Sequence, residues 1–96
     1  MDRRAHIESR LRTELEAEHV TVVDESHLHA GHEGAREGGG HFRALVVARR
    51  FEGCNAVERQ RLVYAVLAEE MGREIHALSM QTLTPEQWRE QQPRRV

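Results

Sequence analysis

The sequence predicts one small α/β (α+β) domain, a three-stranded mixed sheet with helices packed on it, in the order α-β-β-α-β-α. Three observations lead there. Two β-branched, apolar runs, Val20–Val23 and Phe42–Val47, flank a stretch with neither helical nor strand periodicity. A capped segment with an apolar stripe follows the second run and precedes a third strand-like run, the pattern of a β-α-β crossover. A chain of 96 residues with 39% hydrophobic content has room for one thin core and no more.

The elements follow in order. Residues 2 to 17 read as an amphipathic helix, with Ile7, Leu11 and Leu15 four apart among arginines and glutamates. His6 is expected on its solvated side. Val20 to Val23 forms the first strand and Phe42 to Val47 the second; joined by a loop, they pair most simply as an antiparallel hairpin. Arg49 to Gly53 is a turn. Asn55 with Glu58 has the spacing of a capping box. The helix it opens is expected to reach Met71 on a stripe of Val63, Leu67 and Met71, with Gly72 as its left-handed stop. Glu74 to Met80 reads as the third strand. Thr84-Pro85-Glu86-Gln87 is a second capping box, opening a short helix that carries Trp88. The domain is expected to span residues 1–90, with residues 91–96 as a flexible tail.

Composition removes several function classes. Aromatics are only 4%, too few for a platform that stacks single-stranded nucleic acid. Net charge is -2, so the chain as a whole is no polycation. The single cysteine, Cys54, precludes an internal disulfide and fits a reducing compartment. No signal-peptide core or membrane-spanning run is evident, and a cytoplasmic protein without membrane association is expected.

Asp24 to Phe42 stands apart. It holds His27, His29, His32 and His41, together with Gly31, Gly34, Gly38, Gly39 and Gly40. So long a connection in so short a chain points to function or disorder. Imidazole is the commonest side-chain metal ligand, and glycine lets backbone wrap a small object. The predicted crossover makes strands two and three parallel, so both start at the same end of the sheet. Strand two starts where this loop ends, so His76, near the start of strand three, is expected on the loop's side. A Cys-rich structural zinc site is excluded, whereas an all-histidine site is not. The bland reading is a polar loop whose histidines merely keep it soluble.

Elsewhere chemistry is sparse. Cys54 precedes a helix N-terminus, which favours a thiolate, but no activating base is evident and small-residue packing is the simpler role. No paired carboxylates or Ser-His-Asp set can be argued, so an enzyme is not expected. Arg43, Arg49, Arg50, Arg59 and Arg61 gather in sequence around the second strand, its turn and the second helix; arginines suit phosphate, though such a set is usually a solvated face. G-H-E-G at Gly31 to Gly34 formally matches the GxxG of RNA-clamping domains, but it lies between strands and carries an acid.

Five segments together resemble the BolA-like proteins over nearly the whole chain, from the first helix to Trp88. They are V-V-D-E-S-H-L-H at Val22 to His29, H-F-R-A-L-V-V at His41 to Val47, R-F-E-G at Arg50 to Gly53, R-L-V-Y-A-V-L-A-E-E at Arg61 to Glu70, and I-H-A-L-S-M-Q-T-L-T-P-E-Q-W at Ile75 to Trp88. The resemblance implies a class II KH-like fold and partnership with monothiol glutaredoxins around a shared 2Fe-2S cluster. There the glutaredoxin gives its cysteine, bound glutathione a second thiolate, and the BolA-like partner a strand histidine and a loop ligand. The strand histidine maps onto His76. The loop ligand maps onto His29 counting forward from D-E-S, or onto His32 counting back from H-F-R. His27 and His41 are left to support the loop or the ligands' outer contacts. The resemblance also implies, as a second function, DNA-binding transcription regulation through the region of the second helix. Whether the free chain forms a homodimer is left open.

The composition agrees with the first implication. A 2Fe-2S cluster takes four ligands, normally thiolates, with histidines replacing two in some centres. This chain offers imidazoles and one misplaced thiol, so no cofactor is expected in the isolated chain and a partner must complete the shell. Ligating histidines must be neutral, so assembly should weaken as pH falls.

Overall fold

The computed structural model describes residues 2–26 and 40–92. The elements are α1 (Arg3–Glu14), β1 (His19–Asp24), β2 (Gly40–Val47), a 3-10 turn (Arg49–Phe51), α2 (Ala56–Val66), β3 (Ile75–Leu83) and α3 (Pro85–Gln91). The sheet order is β1-β2-β3, with β1 and β2 antiparallel and β2 and β3 parallel. This is the mixed three-stranded α+β architecture the periodicities predict. Among the described residues, no helix is long and apolar enough to cross a membrane.

Each element has a local cause. Asp2 caps α1, its carboxylate accepting from Ala5 N at 2.7 Å. Glu16, at φ 49°, turns the chain out of that helix, so α1 is shorter than the 2–17 span expected. Asn55 and Glu58 form the capping box of α2, and Thr84 and Gln87 that of α3, as their spacing predicts. The α2 helix ends at Val66 instead of continuing to Met71. Beyond it the Leu67 carbonyl accepts from Glu70 N and Met71 N, and the Glu70 carbonyl from the amides of Arg73, Glu74 and Ile75. These tight turns keep Leu67 and Glu70 buried while the chain reverses into β3. Gly72, at φ 83°, closes the reversal, so the left-handed glycine falls where expected.

The core lies on one sheet face. Val20 and Val22 of β1, Phe42, Ala44 and Val46 of β2 and Ile75 of β3 meet Ile7, Leu11 and Leu15 from the α1 segment and Val63 and Leu67 from the α2 segment. The opposite face carries Thr21 and Val23, then Arg43 and Leu45, then Ala77, Ser79 and Gln81. Among the described residues it is covered toward one end, where Trp88 of α3 stacks on His19 at 4.8 Å between ring centroids. β3 runs three residues past the expected Met80, because it pairs with β2 as far as Val47 opposite Leu83.

His6 keeps its side chain 42% exposed, on the solvated side expected of it, and also takes a buried partner. Its Nε2 lies 2.8 Å from Glu70 Oε2, and Glu70 is only 5% exposed. Arg10 Nε is 3.7 Å from the same oxygen, and Arg10 Nη2 donates to the Val66 carbonyl at 2.9 Å. Helix α1 is thereby stapled to the end of α2 and the turn that launches β3.

Candidate metal centre

Strand β2 begins at Gly40, the first described residue after the histidine-rich stretch. Its amide donates to the Glu74 carbonyl at 3.0 Å. A Cβ there would meet Phe42 Cε2 at 2.5 Å and Ser26 Oγ at 3.0 Å, so only glycine fits. The other end of the stretch is tied to the same place. Glu25 N donates to the His41 carbonyl at 2.7 Å, His41 N donates to Ser26 Oγ at 3.1 Å, and Ser26 N donates to Asp24 Oδ1 at 2.9 Å. Ser26 and Gly40, the described residues on either side, thus meet at the start of β2.

A bulge lies across from this junction. Gly40 pairs with Ile75, but His41 pairs with Ala77. The extra residue is His76. Because of it, Ile75 and Leu78 both face the core while His76 and Ala77 face out. The sequence I-H-A-L breaks strict alternation, and the bulge is how the strand accommodates that. It sets the His76 ring beside the His41 ring, with centroids 5.2 Å apart and planes tilted by 43°. His76 is exposed and His41 half-buried.

The parallel pairing therefore puts His76 at the loop end of the sheet, as the crossover requires. The expected ligands His29 and His32, and His27, lie outside the described residues. Among the described residues, no group of three or more His, Cys, Asp or Glu side chains is arranged to hold a metal ion. What the described residues provide is a pair. The ring contact sets His41 beside His76, and the signal that could have found this pairing is the position of His41 opposite the I-H-A-L break.

The thiol is elsewhere. Cys54 follows the far end of β2, and an eight-residue strand spans roughly 25 Å. Its Sγ lies 3.6 Å from the Arg50 carbonyl, a packing position. The donor set at the loop end is thus imidazole without thiolate, which fits a cluster completed by another molecule's sulfurs.

The five arginines fall in different places. Arg43 lies on the open sheet face and pairs with Glu25; that hydrogen bond, and then the carboxylate's charge, raise the guanidinium's pKa above its ordinary value, so it stays charged. Arg59 is built into the fold, donating from Nε to the Cys54 carbonyl at 3.0 Å and from Nη1 to the Thr82 carbonyl at 3.0 Å and Gln87 Oε1 at 2.9 Å. Arg50 borders a groove between α1 and α2, with Arg10, Leu15 and Val66. Arg49 and Arg61 are exposed.

A family model described as BolA-like protein matches residues 11–87. Over 88 residues the chain is 46% identical to BolA-like protein 1 of Homo sapiens, covering 88% of this chain and 62% of that protein. It thus spans less than two thirds of the human relative. It is 36% identical over 85 residues to the DNA-binding transcriptional regulator BolA of Escherichia coli (strain K12), covering 88% of this chain and 78% of that one. The crystal structure of a Bol-like protein from Babesia bovis superposes with a TM-score of 0.76 at 37% identity, over 94% of this chain and 93% of that one. The matched sequence runs from the last turn of α1 through β3 into the first turn of α3, and the solved structure reproduces the arrangement of these elements, so the chain belongs to the BolA-like protein family.

Proposed function

We propose that this protein is a non-enzymatic iron-sulfur adaptor that shares a 2Fe-2S cluster with a monothiol glutaredoxin and its glutathione, in iron homeostasis or cluster trafficking. The observation that carries the reading is the His41–His76 pair at the mouth of the histidine-rich segment. In this reading His76 and one loop histidine, His29 or His32, bind the cluster, and His41 lies against the His76 ring. The cluster supplies a redox-active, transferable iron centre. The protein's part is to hold the His76 imidazole on the bulged strand, add one loop histidine, and leave the remaining positions to thiolates it lacks.

The test mixes the chain with cluster-loaded monothiol glutaredoxin and records visible absorption and circular dichroism. His76→Ala should abolish the spectrum of the mixed complex. His29→Ala and His32→Ala should separate the two loop candidates, and His41→Ala should shift the bands without abolishing them. An unchanged spectrum for His76→Ala sinks the assignment.

A second reading has its own support. A relative that is 36% identical is named a DNA-binding transcriptional regulator, and Arg49 and Arg61 are exposed here. If this chain binds duplex DNA, affinity falls steeply with salt, and replacing Arg49 and Arg61 by alanine shallows that slope by about one unit for each phosphate no longer neutralised. Failure to bind at low salt removes this reading.

A further inference from the structure

The first turn of α1 reaches the loop end of the sheet. Asp2 caps the helix there, which fixes the backbone of the residue that follows it, Arg3. Arg3 is exposed, yet its guanidinium meets two strands. Its Nη1 donates to the Glu74 carbonyl at 3.4 Å, and its Cζ lies 5.9 Å from the centroid of the Phe42 ring. Asp2, Arg3, His6 and Glu74 line a hollow between α1 and the start of β3, so the guanidinium spans a gap between helix and sheet.

Both targets bear on the histidine pair. The Glu74 carbonyl also accepts from Gly40 N, and a carbonyl oxygen has lone pairs for two donors. Glu74 is two residues before His76, and Phe42 follows His41. The Phe42 ring stands where a Cβ on Gly40 would point, so ring and glycine fix each other's place. Between these groups the pairing steps from Gly40 opposite Ile75 to His41 opposite Ala77. Arg3 therefore holds the bulge from both strands, β2 through Phe42 and β3 through Glu74.

The bulge has use for such a hold. A bulged strand leaves its extra residue outside the ladder, here His76. Ile75, fully buried, anchors the strand on the core side, but a core contact does not fix how far the outward residue swings. A guanidinium on a carbonyl is a charge-assisted bond, and over an aromatic face it adds an attraction to the ring. Each contact is at the long end of its range. Joined on one planar group, they constrain both the strand start and the ring beside Gly40.

We infer that Arg3 is a positioning residue for the His41–His76 pair, setting the strand step that brings the two rings together. Its bearing on a cluster rests on the adaptor reading; its hold on the strands does not. Arg4 supplies the comparison. It is the next residue of the same turn, carries the same charge, and donates to Glu8 at 2.8 Å within α1.

Two measurements on the full chain test this. The first uses the free protein and no cluster. Arg3→Ala should shift the ring resonances of both His41 and His76 and weaken cross-relaxation between the rings, whereas Arg4→Ala should leave both unchanged. Exchange of the Gly40 amide should rise about fivefold in Arg3→Ala while the Leu45 amide, opposite Thr21 in mid-sheet, keeps its rate. Arg3→Lys should recover part of the ring shifts, because an ammonium still reaches a carbonyl but cannot lie flat over Phe42. The second adds cluster-loaded monothiol glutaredoxin. Arg3→Ala should move the visible circular dichroism bands of the mixed complex, and Arg4→Ala should not. If His76→Ala leaves that spectrum unchanged, the adaptor role fails, while the free-protein resonances still decide the role of Arg3. Equal ring shifts in Arg3→Ala and Arg4→Ala overturn the inference, as does Gly40 exchange that rises only in step with Leu45.

Discussion

Among single residues, two positions control more than their size implies. Gly40 is tight because its neighbour cannot yield: Phe42 is 2% exposed, and its ring is the atom group a Cβ would strike. Gly40→Ala should destabilise the fold by about 1–3 kcal/mol, the usual cost of overpacking. It should also move the ring resonances of His41 and His76, since the bulge starts beside it. A urea titration with NMR of the two histidines checks both. Arg59, a candidate phosphate contact in the sequence, instead holds two backbone carbonyls and the α3 capping residue Gln87. Arg59→Ala leaves the Cys54 and Thr82 carbonyls short of a partner, at about 1–3 kcal/mol. Arg59→Lys should recover only part of this in thermal unfolding, because an ammonium cannot reproduce the planar fork.

Helices and strands answer to a different set of causes, and for the helices the caps come first. Asn55 and Glu58, and Thr84 and Gln87, satisfy the first amides of α2 and α3 reciprocally. Asn55→Ala and Thr84→Ala should each cost about 1 kcal/mol, measured by chemical denaturation. The Thr84 change should also expose Trp88 fluorescence to quenchers, because α3 carries that ring onto His19. The caps were readable from spacing alone, since capping depends only on residues three apart. The early end of α2 was not. Its stripe continues through Met71, but the buried turns that follow are held by Glu70, whose partners come from α1.

Across the domain as a unit, Glu70 joins three parts. Its side chain meets His6 and Arg10 of α1, and its carbonyl caps the turn into β3. Glu70→Ala should lower stability by about 1–3 kcal/mol, the range for a lost buried hydrogen-bonded group with half-exposed partners. It should also raise hydrogen exchange at Ile75 and His76 more than in β1, because the launch of β3 loses its tie to α1. Equal changes in all three strands would show that Glu70 acts only on global stability.

Element order, strand directions and capped helix starts were all legible in the residues alone. Each depends on periodicity or on neighbours a few residues apart, and the handedness and length of a crossover leave one simple way to lay strand three beside strand two. The placement of His76 at the loop end follows from the same reasoning. Three-dimensional packing settled the rest. The bulge that turns His76 toward His41 exists because β3 must return Leu78, Met80 and Thr82 to the core side after Ile75, a demand visible only once the register with β2 is known. His6 and Arg59 found their partners 64 and 28 residues away, in Glu70 and Gln87. Local spacing fixes what a residue's neighbours in sequence can satisfy, while buried polar groups take whichever distant partner the packed chain brings within reach.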